Sequence, residues 1–174
     1  LYIYSHEERL MVAQIYMLIG DVNSGKSSVL SKWVDEYKEE GRLVGGVLAP
    51  AHWFKGEKVY YDAVDIETGK RHIFASTKPI SEAETFGRFW FSKRGKQLAE
   101  RAITKIKENY DVGIVDEIGP LELEGKGLAR AFKAVLTHPP KKLIISVRES
   151  LVDDVVSAFG LNRFEKLNVL SQKP

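Results

Sequence analysis

The residues best suited to chemistry in this chain form one run, Gly20-Asp21-Val22-Asn23-Ser24-Gly25-Lys26-Ser27. It matches G-x-x-x-x-G-K-[ST], and each fixed position answers a physical need. Gly20 and Gly25 let the backbone turn tightly and approach phosphate oxygens with no Cβ in the way. Successive N–H groups then surround the anion, and a helix opening at Lys26 adds the positive end of its dipole. Lys26 is expected to reach the β- and γ-phosphates, and Ser27 to place its hydroxyl on Mg2+. Ser28 completes the expected nucleotide-binding set. A chance Gly-rich turn would also satisfy so short a pattern. Here, however, the pattern follows an apolar run and opens an amphipathic segment, the setting a phosphate loop requires.

The second group is Asp116-Glu117, which ends the apolar run Val112-Gly113-Ile114-Val115. An Asp at the tip of a buried strand is where a phosphate-loop fold places the other carboxylate of its Mg2+ site. Asp116 is expected to hold the metal directly or through water. Glu117 is expected to accept a proton from, or orient, the attacking water. The bland alternative is an acidic pair that merely ends a strand in solvent; the loop upstream favours the site. Tandem carboxylates suit a water-attacking ATPase better than a Ras-like GTPase, and the guanine-reading N-K-x-D motif does not occur.

Alternating elements must position these groups. Residues 12–19 read as a strand buried on both faces. Residues 26–40 read as a helix with Val29, Leu30, Trp33, Val34 and Tyr37 on its apolar face, ended by Gly41. Residues 43–49 form a second strand. A hairpin follows at 58–66 and 71–75, with its turn at 67–70. Residues 86–91 read as a short aromatic strand. Leu98, Ala99, Ala102, Ile103 and Ile106 mark a second helix. A strand at 112–115 precedes a helix at 127–136. A strand at 143–147, a helix at 149–159 and a last strand at 164–169 complete the chain. This alternation implies an α/β fold, a three-layer sandwich around a mainly parallel sheet with an inserted antiparallel hairpin. Residues 1–11 read as an N-terminal extension to a single domain at 12–174, with Met11 a conceivable natural start.

Bulk properties narrow the class. The 174 residues carry 44% hydrophobic and 29% charged side chains, in the range of globular domains. A formal net charge of +2 does not demand a nucleic-acid partner. With no cysteine, disulfides and thiolate metal sites are excluded, and a cytoplasmic location is expected. No apolar run is long enough for a membrane span, and the N-terminus lacks the basic region of a signal peptide. The lack of cysteine and the few Asn and Gln residues hint at a thermophile.

The phosphate loop, Gly45-Gly46-Val47-Leu48-Ala49-Pro50 before the hairpin, and Val115-Asp116-Glu117-Ile118-Gly119-Pro120-Leu121-Glu122-Leu123 together resemble the thermophile-type, cancer-related nucleoside triphosphatase family. Phe86-Gly87-Arg88-Phe89 is similar to that family's Gly-basic-Tyr segment. The resemblance covers nearly all of the chain from Val12. It implies a RecA-like core and slow, Mg2+-dependent hydrolysis of ATP, GTP and other triphosphates to diphosphate and phosphate, with broad base tolerance. The chain departs from the pattern at Pro120-Leu121, where many members have Lys-Met, and at Phe89, where Tyr is usual.

Other candidates are weaker. Arg148, at a strand end, could act as an internal arginine finger, or be a surface residue paired with Glu149 or Asp153. Arg88 is a similar candidate. Glu122 either lines the site or caps the following helix. His52, Trp53 and Phe54 either stack on a base or form an exposed turn packed on the hairpin. His6, His72 and His138 lack metal-ligand spacing. Trp33 and Trp90 read as core, and Lys93-Arg94-Gly95-Lys96 as a solvated helix start. The competing functions are a nucleotide or cofactor kinase using the same loop, and a nucleotide switch that needs a partner; no long Arg-rich insert supports the kinase.

Overall fold

The apolar run that leads to the phosphate loop becomes strand β1 (Gln14–Ile19), and its alternation divides it between two cores. Ile15 and Met17 enter one, Tyr16 and Leu18 the other. The computed structural model describes residues 13–174. The expected extension at 1–11, and His6 with it, lies outside the described residues. Helix α1 (Lys26–Glu39) covers the second core with Leu30, Trp33, Val34 and Tyr37. It stops at Gly41 (φ 73°), where Arg42 N–H donates to Tyr37 O and Gly41 N–H to Lys38 O. That is the paired closure expected when glycine follows a helix.

Strands β2 (Val44–Leu48), β8 (Val112–Ile118), β9 (Lys142–Val147) and β10 (Glu165–Leu167) join β1 in parallel, in the order β10-β1-β9-β8-β2. On the face opposite α1 lie α2 (Lys93–Thr104), α4 (Ala129–Thr137) and α5 (Val152–Phe159). Their residues Leu98, Ile103, Phe132, Val135 and Val155 fill the first core. Helix α2 opens on Ser92, whose hydroxyl accepts from Gly95 N–H, with Lys93 and Arg94 exposed as a solvated helix start should be.

The rest of the sheet is antiparallel and larger than the one hairpin read from the sequence. Strand β4 (Glu57–Asp65) pairs with β2, with β5 (Arg71–Ser76) and with β3 (Ala51–Phe54). Residues 52–54 are therefore strand, not turn. The turn itself is Lys55-Gly56, both at positive φ, which matches the twist of a two-residue hairpin. Residues 86–91 are not one strand but the facing ends of two, β6 (Ala83–Phe86) and β7 (Phe89–Ser92), with Gly87 (φ 57°) and Arg88 at the bend. A short helix α3 (Pro120–Leu123), unforeseen in the sequence, precedes α4. Residues 149–151 form a 3-10 turn before α5. No helix among the described residues is long and apolar enough to cross a membrane.

Candidate active site

Between β1 and α1 the chain curls back on itself. Asn23 (φ 66°) and Gly25 (φ 87°) adopt left-handed conformations that bend the loop tightly, and Ser24 N–H donates to Asp21 O at 3.2 Å across the bend. Gly25 is the N-cap of α1 and supplies no side-chain cap, which leaves the first N–H groups of the helix for an anion. A Cβ on Gly20 would lie 2.5 Å from Ser24 Oγ. Lys26 is only 5% exposed, and its Nζ donates to Gly20 O at 2.8 Å and Asp21 O at 2.7 Å. Burial lowers its pKa, against the opposing pull of Glu117 and Asp116.

The acidic pair needs a special backbone. On a regular strand, neighbours point to opposite faces, so Asp116 and Glu117 could not serve one cleft. Here β8 is bulged: Val115 pairs with Ile145 and Ile118 with Val147, so two residues of β8 face Ser146 alone. The extra residue is absorbed by Glu117 at φ 63°. Ser146, fully buried, spans the bulge. Its Oγ accepts from Glu117 N–H at 2.8 Å and donates to Asp116 Oδ1 at 2.6 Å. The other oxygen, Oδ2, accepts from Ala49 N–H at 2.9 Å. Asp116 is thus buried (1% exposed) and held at both oxygens. Burial pushes the Glu117 carboxyl above the usual range, and the Asp116 charge adds to this; Arg148, Lys58 and Lys26 pull it back. Ser146 was not anticipated, although a lone hydroxyl within the apolar run 143–147 was its signal.

Glu117 and the phosphate loop share a cleft of about 690 Å³, into which Ser24, Lys26, Ser27, Trp53 and Lys58 also face. Lys58 and Tyr61, on β4, are further unforeseen members. Lys58 Nζ donates to Tyr61 Oη at 2.8 Å and lies 5.2 Å from the Trp53 ring centre. Burial lowers the Lys58 pKa. Burial, then the Glu117 charge, pushes Tyr61 up to about 12.

Residues 15–173 match the profile of the protein family described as NTPase. The chain belongs to this family. It is 29% identical over 133 residues to the nucleoside-triphosphatase THEP1 of Methanopyrus kandleri, covering 76% of this chain and 73% of that one. It is 30% identical over 152 residues to the protein of the same name from Ignicoccus hospitalis, covering 87% and 85%. A solved structure, the solution structure of a human cancer-related nucleoside triphosphatase, shares the fold with a TM-score of 0.65 at 20% identity, over 90% of this chain and 88% of that one.

The remaining candidates of this NTPase family member divide. Arg148 is half-buried at the end of β9 and lines a second cavity together with Glu117. Among the described residues it forms no ion pair with Glu149 or Asp153. Arg88 is exposed at the rim of the same cavity, 5.1 Å from the Phe89 ring centre. Glu122 is a cap: Oε2 accepts from Gly119 N–H at 3.1 Å and Oε1 from Leu128 N–H at 3.0 Å, joining α3 to the start of α4. Trp53 is 51% exposed and faces the phosphate-loop cleft. His52 is occupied elsewhere, stacked on Tyr60 at 4.2 Å and bonded to Asp62 Oδ2 at 2.9 Å. Phe54 is exposed at the hairpin tip. Trp33 is core, while Trp90 is half-buried. His138 Nδ1 meets Glu108 Oε1 at 3.2 Å, and His72 is exposed on β5.

Proposed function

We propose that this chain hydrolyses nucleoside 5'-triphosphates to diphosphate and phosphate, slowly and with little preference among bases, in the cytoplasm. The observation that carries the reading is the bulge opposite Ser146, which leaves Glu117 lining the cleft of a complete phosphate loop, with Asp116 buried directly before it in the strand. A strand order with β9 between the loop strand and the acidic strand supports the RecA-like arrangement.

The residues present suit Mg2+. Ser27 and Asp116 offer hard oxygen donors, and each Asp116 oxygen accepts one protein hydrogen bond, so each keeps a free lone pair. No group of three or more His, Asp or Glu able to hold a metal occurs among the described residues, so the other ligands would be phosphate oxygens and water. Bound Mg2+ would neutralise charge on the phosphates. The loop N–H groups and Lys26 hold the β- and γ-phosphates. Glu117 orients the water and takes its proton. Arg148 stabilises charge spreading over the γ-phosphoryl oxygens. Trp53 offers a flat face to any base, which suits broad tolerance.

Phosphate release is measured with ATP, GTP, CTP and UTP, with and without EDTA, for the parent and Glu117→Gln. Release from several nucleotides, stopped by EDTA, is expected. The variant should lose about 10²–10⁴-fold in turnover yet still bind nucleotide. Turnover retained in Glu117→Gln would remove Glu117 from its role.

A further inference from the structure

Glu117 has two sides. One faces the phosphate-loop cleft, and the other faces a separate cavity of about 250 Å³; Tyr61 lines both. A hydrolase needs one water molecule at Glu117, whose share of volume is about 30 Å³. The second cavity is some eight times that. Its lining does not suit water either, because Phe74, Phe89, Phe91, Pro120 and Leu121 dominate it. The rings meet edge to face: Phe74 and Phe91 at 5.5 Å and 84°, Phe89 and Phe91 at 6.4 Å and 66°. Such a box receives a flat apolar body. Charge enters the cavity at few points. Arg148 and Arg88 supply the cations, and Glu117 and Glu122 are the acids in the lining. Glu122 is spent on the N–H groups of Gly119 and Leu128.

We infer that this cavity is an acceptor site, and that the chain also transfers the γ-phosphoryl group to the hydroxyl of a small aromatic alcohol bearing an anionic substituent. The inference rests on the reading of Glu117 as proton acceptor. The ring lies among Phe74, Phe89 and Phe91, the anionic group meets Arg88, and the hydroxyl points to Glu117. The hydroxyl oxygen forms a bond to the γ-phosphorus. The bond from that phosphorus to the bridging oxygen breaks, and its electron pair leaves with the nucleoside diphosphate. The hydroxyl proton passes to Glu117 and then to solvent. The products are a phosphate monoester and the diphosphate, with no change of oxidation state. With no alcohol bound, a single water at Glu117 attacks the same phosphorus, so hydrolysis is the slower, default outcome.

The test follows the label of γ-32P-ATP with Mg2+ in the presence of millimolar 4-(hydroxymethyl)benzoate or neutral benzyl alcohol. Labelled ester and labelled free phosphate are separated and counted in each sample. Ester is expected with both probes and in greater amount with the anionic one. Ala75→Leu, which adds bulk to the cavity wall, should lower the ester-to-phosphate ratio about tenfold or more. Arg88→Ala should lower ester yield more for the anionic probe than for benzyl alcohol. Free phosphate with no ester from either probe would overturn the acceptor site and leave the hydrolase reading standing. Ester with the probes, but no free phosphate from a sample without either probe, would support the acceptor site and overturn the hydrolase reading. Neither product would overturn both. Because the parent protein alone decides these outcomes, a variant that fails to fold does not blur them.

Discussion

Ser146→Ala tests the central geometric claim. The substitution deletes one oxygen from a fully buried position and with it two hydrogen bonds. The bond to the Asp116 carboxylate is of the charged type, about 1.5–3 kcal/mol, and an unpaired Glu117 N–H costs about 1–3 kcal/mol. Opposing them is the left-handed backbone at Glu117, which costs about 1–3 kcal/mol and persists only while its surroundings hold it. Without the hydroxyl the two sides become comparable, and the bulge can relax towards a regular strand. In that form Glu117 turns to the other face of β8. A shift of about 1.4–2.8 kcal/mol away from the bulged state lowers kcat roughly 10–100-fold. The KM for ATP should stay within about threefold, because the loop and Lys26 are untouched. Global stability should fall by about 1–3 kcal/mol, a Tm decrease of roughly 2–12 °C. Steady-state phosphate release gives kcat and KM, and circular dichroism melting gives Tm. A kcat within about twofold of the parent, or a loss carried wholly by KM, would refute the role of Ser146 in holding Glu117.

Two further substitutions probe other parts of the argument. Trp53→Ala should raise KM for ATP, GTP, CTP and UTP alike; stacking is worth about 1–3 kcal/mol, and at a half-exposed ring the lower end applies, roughly fivefold. A change confined to one base would show that the base is read by hydrogen bonds elsewhere. Gly46→Ala should abolish folding, since its Cβ would stand 1.9 Å from Ile114 O at φ 115°, a loss of more than about 4 kcal/mol. A soluble variant melting near the parent temperature would contradict the close pairing of β2 with β8.

The parallel strands β1, β2, β8 and β9 are legible because burial on both faces leaves a largely apolar run, and α1 shows its face at Leu30, Trp33, Val34 and Tyr37. The antiparallel part was less legible. Its strands are half-covered, and its turns use residues that do not advertise themselves. Lys55-Gly56 takes a turn usually announced by Asn-Gly, and Gly87-Arg88 bends a run that reads as one continuous aromatic strand. Helix α3 spans four residues, too few for a period to emerge. Lys58 and Tyr61 carry no local signal for a related reason: they reach the phosphate-loop cleft only because β3 and β4 fold beside it, a long-range fact without a local motif.

The acidic pair is a different case, because its residue types already constrain the backbone around it. If Asp116 and Glu117 both serve one nucleotide, regular alternation forbids a regular strand, so tandem carboxylates at a strand end already require an inserted residue. An inserted residue leaves an N–H without its ladder partner, and a buried N–H demands an acceptor. The strand opposite must therefore carry a small polar side chain within an otherwise apolar run. Residues 142–147 contain one such side chain beyond the opening lysine, Ser146, and it makes both bonds. The same reasoning ties the proposed function to strain: Glu117 lines the phosphate-loop cleft from a left-handed backbone, and the Ser146 hydroxyl holds that backbone in place.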